Sequence, residues 1–375
     1  MNKSKNILIC PLEWGLGHAA RMIPLAGKLS EMNNNVIIAS GEEHLSLFRT
    51  ELPGLSYIRF PGFKPGYSKF LPQYLSLLFK VPLLLYHIVT EHYKLKKIIA
   101  ENNIDIIISD NRFGLWNKNI TSVYITHMPL IPFPEKLKIL EPFGVYLHRK
   151  IIKKYSLCFI PDLPGDLNIS GRLSHGIKLP DNVRYIGILS RFIDTGHSFN
   201  DNYIKNKYNT VILSGPEPQK EMLKQKLVAI LKQNKIPTII FEGKPSRGGE
   251  IGGIANITFY SHLPALRMKE IIQDSECIIT RSGYTTIMEL VSMNRSALII
   301  PTPGQTEQEY LAVYLSEKGW FSTISQSEIK EGIQLQQSKI VRQDAINHQS
   351  SILLNEALNE LLEKQHKEGQ TSKSC

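Results

Sequence analysis

The stretch Cys277–Val313 constrains the fold of this 375-residue chain more than any other. It begins with the short apolar run Cys277–Ile279, which is typical of a buried strand, passes through a Ser-Gly turn and continues as a predicted helix, Thr285–Met293. Ser296–Ile300 predicts the next strand. A strand, a glycine turn and a helix start leave free backbone N–H groups where a diphosphate can bind. The stretch therefore predicts an α/β domain with an anion-binding corner.

Polar side chains beside this corner predict a nucleotide-sugar pocket. Glu289 lies about two turns into the helix, where its carboxylate could reach the hydroxyls of a ribose. Gln305, Glu307, Gln308 and Glu309 open the following helix at the same end of the sheet.

The same strand–loop–helix–strand plan occurs at the start of the chain and again near its middle. Asn6–Cys10, His18–Glu31 and Val36–Ala39 form the first unit, and Thr210–Leu213 begins the second. Alternating strands and helices predict an α/β fold with two Rossmann-like parallel-sheet domains facing each other across a cleft. The predicted boundaries are 1–195 for the first domain, 196–208 for a linker, 209–345 for the second domain, 346–364 for an amphipathic helix and 365–375 for a disordered tail.

The bulk composition limits the classes of partner. A hydrophobic content of 42% excludes a disordered chain, and a net charge of +10 favours an anionic partner, whether phosphate-bearing ligands, a membrane surface or nucleic acid. No recognisable nucleic-acid-binding module is present, so nucleic acid is not expected. The four cysteines have no metal-type or redox spacing, which fits a reducing, cytoplasmic compartment.

A basic, leucine-rich segment, Phe70–Lys97, and a basic segment, Lys136–Lys154, lie in the first domain. They could rest on anionic lipid and admit a lipid-linked acceptor, at the inner face of the membrane. An ordinary helix pair with a solvated basic face accounts for them at least as simply. Polar residues and prolines interrupt the most apolar window, Phe70–Thr90, so that it contains too few consecutive apolar residues to span a bilayer.

His18 and Asp110 are the candidate catalytic residues. Gly15 and Gly17 would expose His18 at a helix N-terminus, where the helix dipole lowers the pKa of an imidazole and keeps it neutral. Asp110 ends a strand of the same domain and could orient the ring. Two alternatives stay open: a histidine that only caps the helix, and a dinucleotide-binding Gly-x-Gly-x-x-Ala loop with Glu42 as the matching acid.

Together, Gly15-Leu16-Gly17-His18, the strand Thr210–Leu213, Arg281-Ser282-Gly283 with Glu289, and Gln305 with Gln308 resemble the GT-B glycosyltransferases, family 28 in particular. The resemblance implies that the second domain binds the nucleotide sugar and the first binds the acceptor. It also implies that Ser282 and Gly283 contact the diphosphate, that Glu289 binds the ribose, that the backbone near Leu263 holds the base and that Gln308 binds the sugar. The complete predicted donor pocket consists of Ser214, Gly215, Leu263, Arg281, Ser282, Gly283, Tyr284, Thr285, Glu289, Gln305, Gln308 and Glu309.

The sequence departs from the family pattern at several places, among them the N-terminal glycine motif, which leaves the acceptor open, and Ala312, which stands where an asparagine is expected. Ser214-Gly215-Pro216 stands where a Gly-Gly-Ser loop is expected, and Glu309 replaces a second glutamine, so the donor sugar is left open. The expected activity is an inverting, metal-independent transfer of a hexose or N-acetylhexosamine from a UDP-sugar to a glycan or lipid-linked acceptor, with no cofactor. A UDP-sugar epimerase, an NAD-dependent oxidoreductase using Gly15–Ala20 and a catalytically silent nucleotide-sugar sensor are the competing functions.

Overall fold

The structure is a computed structural model that describes residues 4–66, 79–193, 208–245, 249–330 and 344–371, with side chains in the last range from 345 to 363. Each half of the chain forms one lobe around a seven-stranded sheet, which confirms the predicted fold class. Nearly all of the predicted linker, 196–208, lies outside the described residues, as do residues 70–78 of the leucine-rich segment.

The sheet of the first lobe is parallel throughout, in the order β3-β2-β1-β4-β5-β6-β7. Its central strands are uninterrupted apolar runs because helices cover both faces of a parallel sheet. The strands are β1 (Asn6–Cys10), β2 (Asn35–Ser40), β3 (Ser56–Arg59), β4 (Ile106–Asp110), β5 (Thr121–Ile125), β6 (Leu157–Ile160) and β7 (Val183–Tyr185).

The first lobe has four α-helices among its described residues and, within the basic segment, a 3-10 helix, Glu135–Leu140, which an α-helix follows directly. The α-helices are α1 (Leu16–Glu31), α2 (Glu42–Glu51), α3 (Val81–Asn102) and α4 (Glu141–Ile152).

The sheet of the second lobe has the order β10-β11-β9-β8-β12-β13-β14, and its edge strand β10 is antiparallel to β11. The strands are β8 (Asn209–Ile212), β9 (Thr238–Phe241), β10 (Gly249–Ile254), β11 (Ile257–His262), β12 (Cys277–Thr280), β13 (Leu298–Ile299) and β14 (Ser322–Thr323). The helices are α5 (Gln219–Leu231), α6 (Ala265–Asp274), α7 (Tyr284–Ser292) and α8 (Thr306–Glu317).

The C-terminal helix α9 (Asp344–Thr371) is longer than predicted at both ends. The helix extends over part of the predicted tail, to Thr371, and residues 372–375 lie outside the described part. Ile346 packs in the core of the second lobe, whereas Ala357, Leu358 and Leu361 pack in the core of the first. The helix therefore joins the two lobes instead of belonging to one.

The order of the strands fixes where each lobe opens a crevice. In the first sheet β1 lies between β2 and β4, and in the second β8 lies between β9 and β12. In the first sheet the loops after the neighbouring strands β1 and β4 leave in opposite directions, and in the second sheet the loops after β8 and β12 do the same. Open α/β sheets bind their ligands at such points.

Candidate functional site

His18 lies in the first turn of α1, because the helix begins at Leu16 rather than at His18 itself. Gly15 has φ 151°, a conformation that residues with a Cβ rarely adopt, and this turn directs the chain from β1 into the helix. The His18 side chain keeps 20% of its surface exposed, so the ring remains accessible from the cleft.

Asp110 holds the ring of His18. Because β1 and β4 are neighbours in the sheet, the end of β4 lies beside the loop that follows β1, and Asp110 Oδ2 is 2.8 Å from His18 Nδ1. Burial would raise the pKa of the Asp110 carboxyl, but Arg21 and His18 hold it down at about 2. For His18 the balance is reversed: burial and Arg21 lower the pKa of the imidazole more than Asp110 raises it. The predicted pair is therefore assembled as a neutral imidazole on an ionised carboxylate.

Arg21 is a third member of this cluster that the sequence did not single out. Its side chain is 2% exposed and donates two hydrogen bonds to the Asp110 carboxylate. Nε donates to Oδ2 at 3.2 Å, and Nη2 donates to Oδ1. Nη2 is also 2.9 Å from His18 Nδ1. The i,i+3 spacing of His18 and Arg21 places both on one face of α1, and this spacing was the available sequence signal.

His127 continues the cluster toward the second lobe. Its Nδ1 is 3.1 Å from Arg21 Nη1, and its Nε2 is 2.8 Å from Oε1 of Glu307, in the first turn of α8. The ring stacks on Tyr284 at a centroid distance of 4.1 Å. His127 lowers the pKa of the Glu307 carboxyl against the opposing effect of burial. A residue of the second lobe is thus linked through two side chains to the carboxylate that holds His18.

The start of α1 and the start of α7 are in direct contact across the cleft. Thr285 Oγ1 donates a hydrogen bond to the carbonyl of Gly17 at 3.0 Å, and Tyr284 Oη donates to the carbonyl of Pro161 at 2.8 Å. The glycine–histidine loop and the serine–glycine corner therefore face the same cleft.

The serine–glycine corner has one serine, Ser282, whose hydroxyl is hydrogen-bonded, and next to it Ser214, whose hydroxyl has no partner among the described residues. Ser282 Oγ donates to the carbonyl of Gln308 at 2.8 Å, whereas Ser214 Oγ, in the loop after β8, is buried without a partner among the described residues. Gly283 immediately precedes α7, and an added Cβ there would come within 3.8 Å of Ser214 Oγ. Gly215 has φ 93° and open space around it. Ser214 Oγ therefore lies beside the N-terminus of α7.

The loop after β13 contributes further polar atoms. Gln308 Oε1 accepts from the backbone N–H of Thr302 at 2.9 Å, and Glu309 Oε1 accepts from that of Gly304 at 2.8 Å. Thr302 Oγ1 and Gln305 Oε1 are buried without partners in the described part of the chain. Thr302 was not predicted, since a threonine in a Pro-Thr-Pro loop carries no distinctive signal.

Two further residues of the predicted donor site, Arg281 and Glu289, also have protein partners. Arg281 is fully buried. Its guanidinium donates hydrogen bonds to the backbone carbonyls of Ile300, Pro301 and Gln219 and to the side chain of Gln326, and it thereby connects the loops that carry these residues. Glu289 lies on the buried face of α7, where Oε1 accepts from Arg191 Nε at 2.7 Å.

Glu51 of the first lobe lies on the same arginine. Arg191 Nη1 is 3.6 Å from Glu51, whose carboxylate also accepts from the first N–H of α6. Leu263, two residues before the start of α6, is partly buried against the second-lobe core. The predicted ribose and base positions thus lie next to an ion-paired contact between the lobes.

Among the residues that the structure describes, no group of three or more His, Cys, Asp or Glu side chains could hold a metal ion. In the same described ranges no helix has both the length and the apolar character that crossing a bilayer requires.

Comparison with known proteins supports the resemblance. Residues 204–364 match the family model for the glycosyltransferase family 28 C-terminal domain. A relative from Sulfurihydrogenibium sp., a UDP-N-acetylglucosamine–N-acetylmuramyl-(pentapeptide) pyrophosphoryl-undecaprenol N-acetylglucosamine transferase, is 22% identical over 134 residues. This alignment covers 35% of the chain and 38% of the relative.

Solved structures match the whole chain. The glycosyltransferase SnogD from Streptomyces nogalater is 13% identical with a TM-score of 0.57, over 97% of this chain and 98% of that one. UGT73P12 from Glycyrrhiza uralensis is 11% identical with a TM-score of 0.56, over 99% and 97%. Both have the same two-lobed arrangement as this chain.

Proposed function

We propose that this chain, a family 28-like glycosyltransferase with the GT-B fold, is an inverting enzyme that transfers a sugar from a UDP-sugar to a glycan or lipid-linked acceptor. The observation that carries the proposal is the shared cleft. The His18–Asp110 pair at the start of α1 and the serine–glycine corner at the start of α7 lie against each other, joined by the Thr285–Gly17 hydrogen bond.

His18 is suited to the task of general base. Asp110 holds Nδ1, and Nε2 has no hydrogen bond to any described residue. An acceptor hydroxyl bound in the cleft gives its proton to Nε2 and attacks the anomeric carbon, while the bond from that carbon to the diphosphate breaks. Attack from the face opposite the nucleotide inverts the configuration. Asp110 stabilises the imidazolium that forms.

The second lobe is suited to the leaving diphosphate. The first backbone N–H groups of α7 are free of helical partners and carry the positive end of the helix dipole. Ser214 Oγ and Thr302 Oγ1 are additional unpartnered donors among the described side chains. These groups stabilise the charge of the departing UDP without a metal ion.

The acceptor belongs to the first lobe. The large hydrophobic side chains that remain exposed are concentrated in α3 and in the segment from Ile131 to Leu147. The exposed residues within or directly before these two regions are Phe79, Val81, Leu83, Leu85, Tyr86, Val89, Tyr93, Ile131, Leu137, Ile139, Leu140, Phe143, Tyr146 and Leu147. Lysines lie on the same elements, so these exposed apolar and basic side chains suit contact with an anionic membrane surface on the cytoplasmic side that presents a lipid-linked acceptor.

The geometry disfavours an NAD-dependent oxidoreductase. A dinucleotide would require its pyrophosphate against Gly15–Ala20, but a Cβ on Gly17 would already lie 3.1 Å from Thr285 Oγ1 of the other lobe. Glu42, the acid expected to bind the ribose, points to solvent and is ion-paired with Arg49.

The deciding experiment is product analysis. The protein is first titrated with UDP, UDP-sugars and NAD, and then incubated with a panel of UDP-sugars and with lipid and glycan extracts. We expect UDP binding, no NAD binding, and UDP release that depends on an acceptor. NAD binding without UDP binding would overturn the proposal, and a converted UDP-sugar without an acceptor would identify an epimerase.

The membrane face has its own test. Ile139 is 86% exposed, and Ile139→Glu should weaken co-sedimentation with vesicles that contain anionic lipid at least threefold. Val313→Glu, a similar change at an exposed site on α8, is the control and should leave binding unchanged. Equal effects of the two substitutions would contradict the assignment of this face.

A further inference from the structure

The polar chain Asp110–Arg21–His127–Glu307 crosses from one lobe to the other, and its hydrogen bonds determine which nitrogens carry protons. A guanidinium can only donate, so His127 Nδ1 must accept from Arg21 Nη1. A neutral His127 therefore carries its proton on Nε2, which donates to Glu307. Its tautomer is fixed by one residue from each lobe.

His18 Nδ1 has two neighbours with opposite requirements. Asp110 Oδ2, at 2.8 Å, can only accept, whereas Arg21 Nη2, at 2.9 Å, can only donate. A neutral imidazole can satisfy only one of them at this nitrogen. When Nδ1–H donates to Asp110, Nε2 is left with a lone pair and acts as a base. When Nδ1 accepts from Arg21, the proton is on Nε2 and the ring cannot accept from a substrate.

The Arg21 guanidinium has hydrogen-bond acceptors other than His18 Nδ1 as long as its contacts with Asp110 and His127 are intact. Nε and Nη2 bind the two oxygens of Asp110, and Nη1 binds His127. His127 is held in that position by the stacked ring of Tyr284 and by the carboxylate of Glu307. Loss of the Glu307 contact would free His127 to rotate and would leave Arg21 Nη1 without its acceptor. The buried guanidinium would then shift toward a neighbouring acceptor that it already approaches, His18 Nδ1, which lies 2.9 Å from Nη2.

We propose that Arg21, His127 and Glu307 are positioning residues that hold His18 in its Nδ1–H tautomer, so that the base is active only while the lobes are in contact. The proposal rests on the role of His18 in the proposed function. It assigns to Glu307, at the start of the helix that carries Gln308, the task of linking the donor lobe to the base.

The test measures the tautomers directly. In protein labelled with ¹⁵N-histidine, the ring nitrogen shifts report which nitrogen of His18 and of His127 is protonated, and this readout needs neither donor nor acceptor. We expect His18 as the Nδ1–H form and His127 as the Nε2–H form. In Glu307→Ala, we expect the Nε2–H form of His18 to rise at least fivefold. Glu307→Gln keeps an acceptor oxygen and should restore most of the original distribution.

Thr306→Val is the matched control, because Thr306 Oγ1 donates to the carbonyl of Pro132 and so forms an interlobe hydrogen bond one residue away from Glu307. It should leave both histidines unchanged. An unchanged His18 tautomer in Glu307→Ala, or an equal change in Thr306→Val, would overturn the proposal.

Once a donor and an acceptor are known, Glu307→Ala should lower kcat about tenfold and change the dissociation constant of UDP less than twofold. Arg21→Lys should lower kcat further, and adding Glu307→Ala to it should cost little more, since both act through one chain. Multiplicative losses would contradict the chain. Failure of UDP binding by the unaltered protein would instead contradict the proposed function and leave the tautomer result standing.

Discussion

The two sides of the cleft differ in how completely their polar groups are bonded. On the first lobe Asp110, Arg21 and His127 form a closed set of hydrogen bonds around His18. On the second lobe Ser214 Oγ, Thr302 Oγ1 and Gln305 Oε1 are buried without partners among the described residues. A buried polar atom without a partner costs about 1–3 kcal/mol. If the proposed function holds, the side of the cleft that carries His18 is organised before any ligand arrives, whereas the side proposed to bind the donor becomes fully bonded only when a ligand supplies partners.

The largest expected effect comes from removing the base. His18→Ala should lower kcat roughly 100- to 10,000-fold, the usual range for a general base. The dissociation constant of UDP should change less than twofold, because the donor corner is built from the other lobe. Calorimetric titration and steady-state kinetics measure the two quantities. His348→Ala, an exposed histidine on α9, is the control, and an equal loss of UDP binding in His18→Ala would contradict the division of tasks.

The next effect comes from Asp110→Asn, which leaves the Arg21 guanidinium buried without its carboxylate. We expect a loss of about 3–5 kcal/mol in the free energy of unfolding, the cost of breaking a buried ion pair. Asp110 raises the pKa of His18, so the acid limb of the pH–rate profile should move to lower pH in this variant. A limb that moves to higher pH would contradict the electrostatic role of Asp110.

The third and smaller expected effect is a difference between the unaltered protein and Asp110→Asn in the stability lost at acid pH. The pKa of Asp110 is about 2 in the folded protein against an ordinary value of 3.8, so its contribution is present above pH 4 and is lost as the pH falls from 4 to 2. This shift corresponds to about 2–3 kcal/mol. Unfolding by denaturant at pH 4 and pH 2 should show a larger loss for the unaltered protein than for Asp110→Asn. Parallel losses would place the acid sensitivity elsewhere.

The smallest effect distinguishes two serines of the donor corner. Ser214→Ala removes a hydroxyl that has no partner in the described structure, so it should weaken UDP binding about three- to tenfold without lowering the melting temperature. Ser282→Ala breaks the bond to the carbonyl of Gln308 and should destabilise the protein by about 1 kcal/mol. If Ser214→Ala destabilised the fold and left UDP binding intact, the contrast between the two sides would fail.

Most of the fold was predictable, because the strands of a covered parallel sheet are continuous apolar runs. β10 was missed because Gly249–Ile254 is glycine-rich and exposed along its length, and it is a strand only through its pairing with β11. The length of α9 was also missed, since its anchoring depends on cores distant in the sequence.

The site was predictable only where it depends on chain-local chemistry. His18 follows a glycine turn and Asp110 ends a strand, and both signals are local. The contacts of His127 with Arg21 and Glu307 join residues more than a hundred positions apart, so no spacing rule could find them. The burial of Arg281 beneath three loops likewise follows from tertiary packing, not from its place in an Arg-Ser-Gly motif.

The C-terminal helix has a practical consequence for dissecting this protein. The chain passes from the first lobe to the second between residues 193 and 208 and returns along α9, where Ser350 lies so close to Gly187 that an added Cβ would be 2.3 Å from its Cα. A fragment limited to the residues that match the family model, 204–364, would keep Ala357, Leu358 and Leu361 but would lack the first-lobe core residues against which they pack. Such a fragment would expose an apolar stripe and self-associate, so binding measurements on the donor half alone require that stripe to be made polar first.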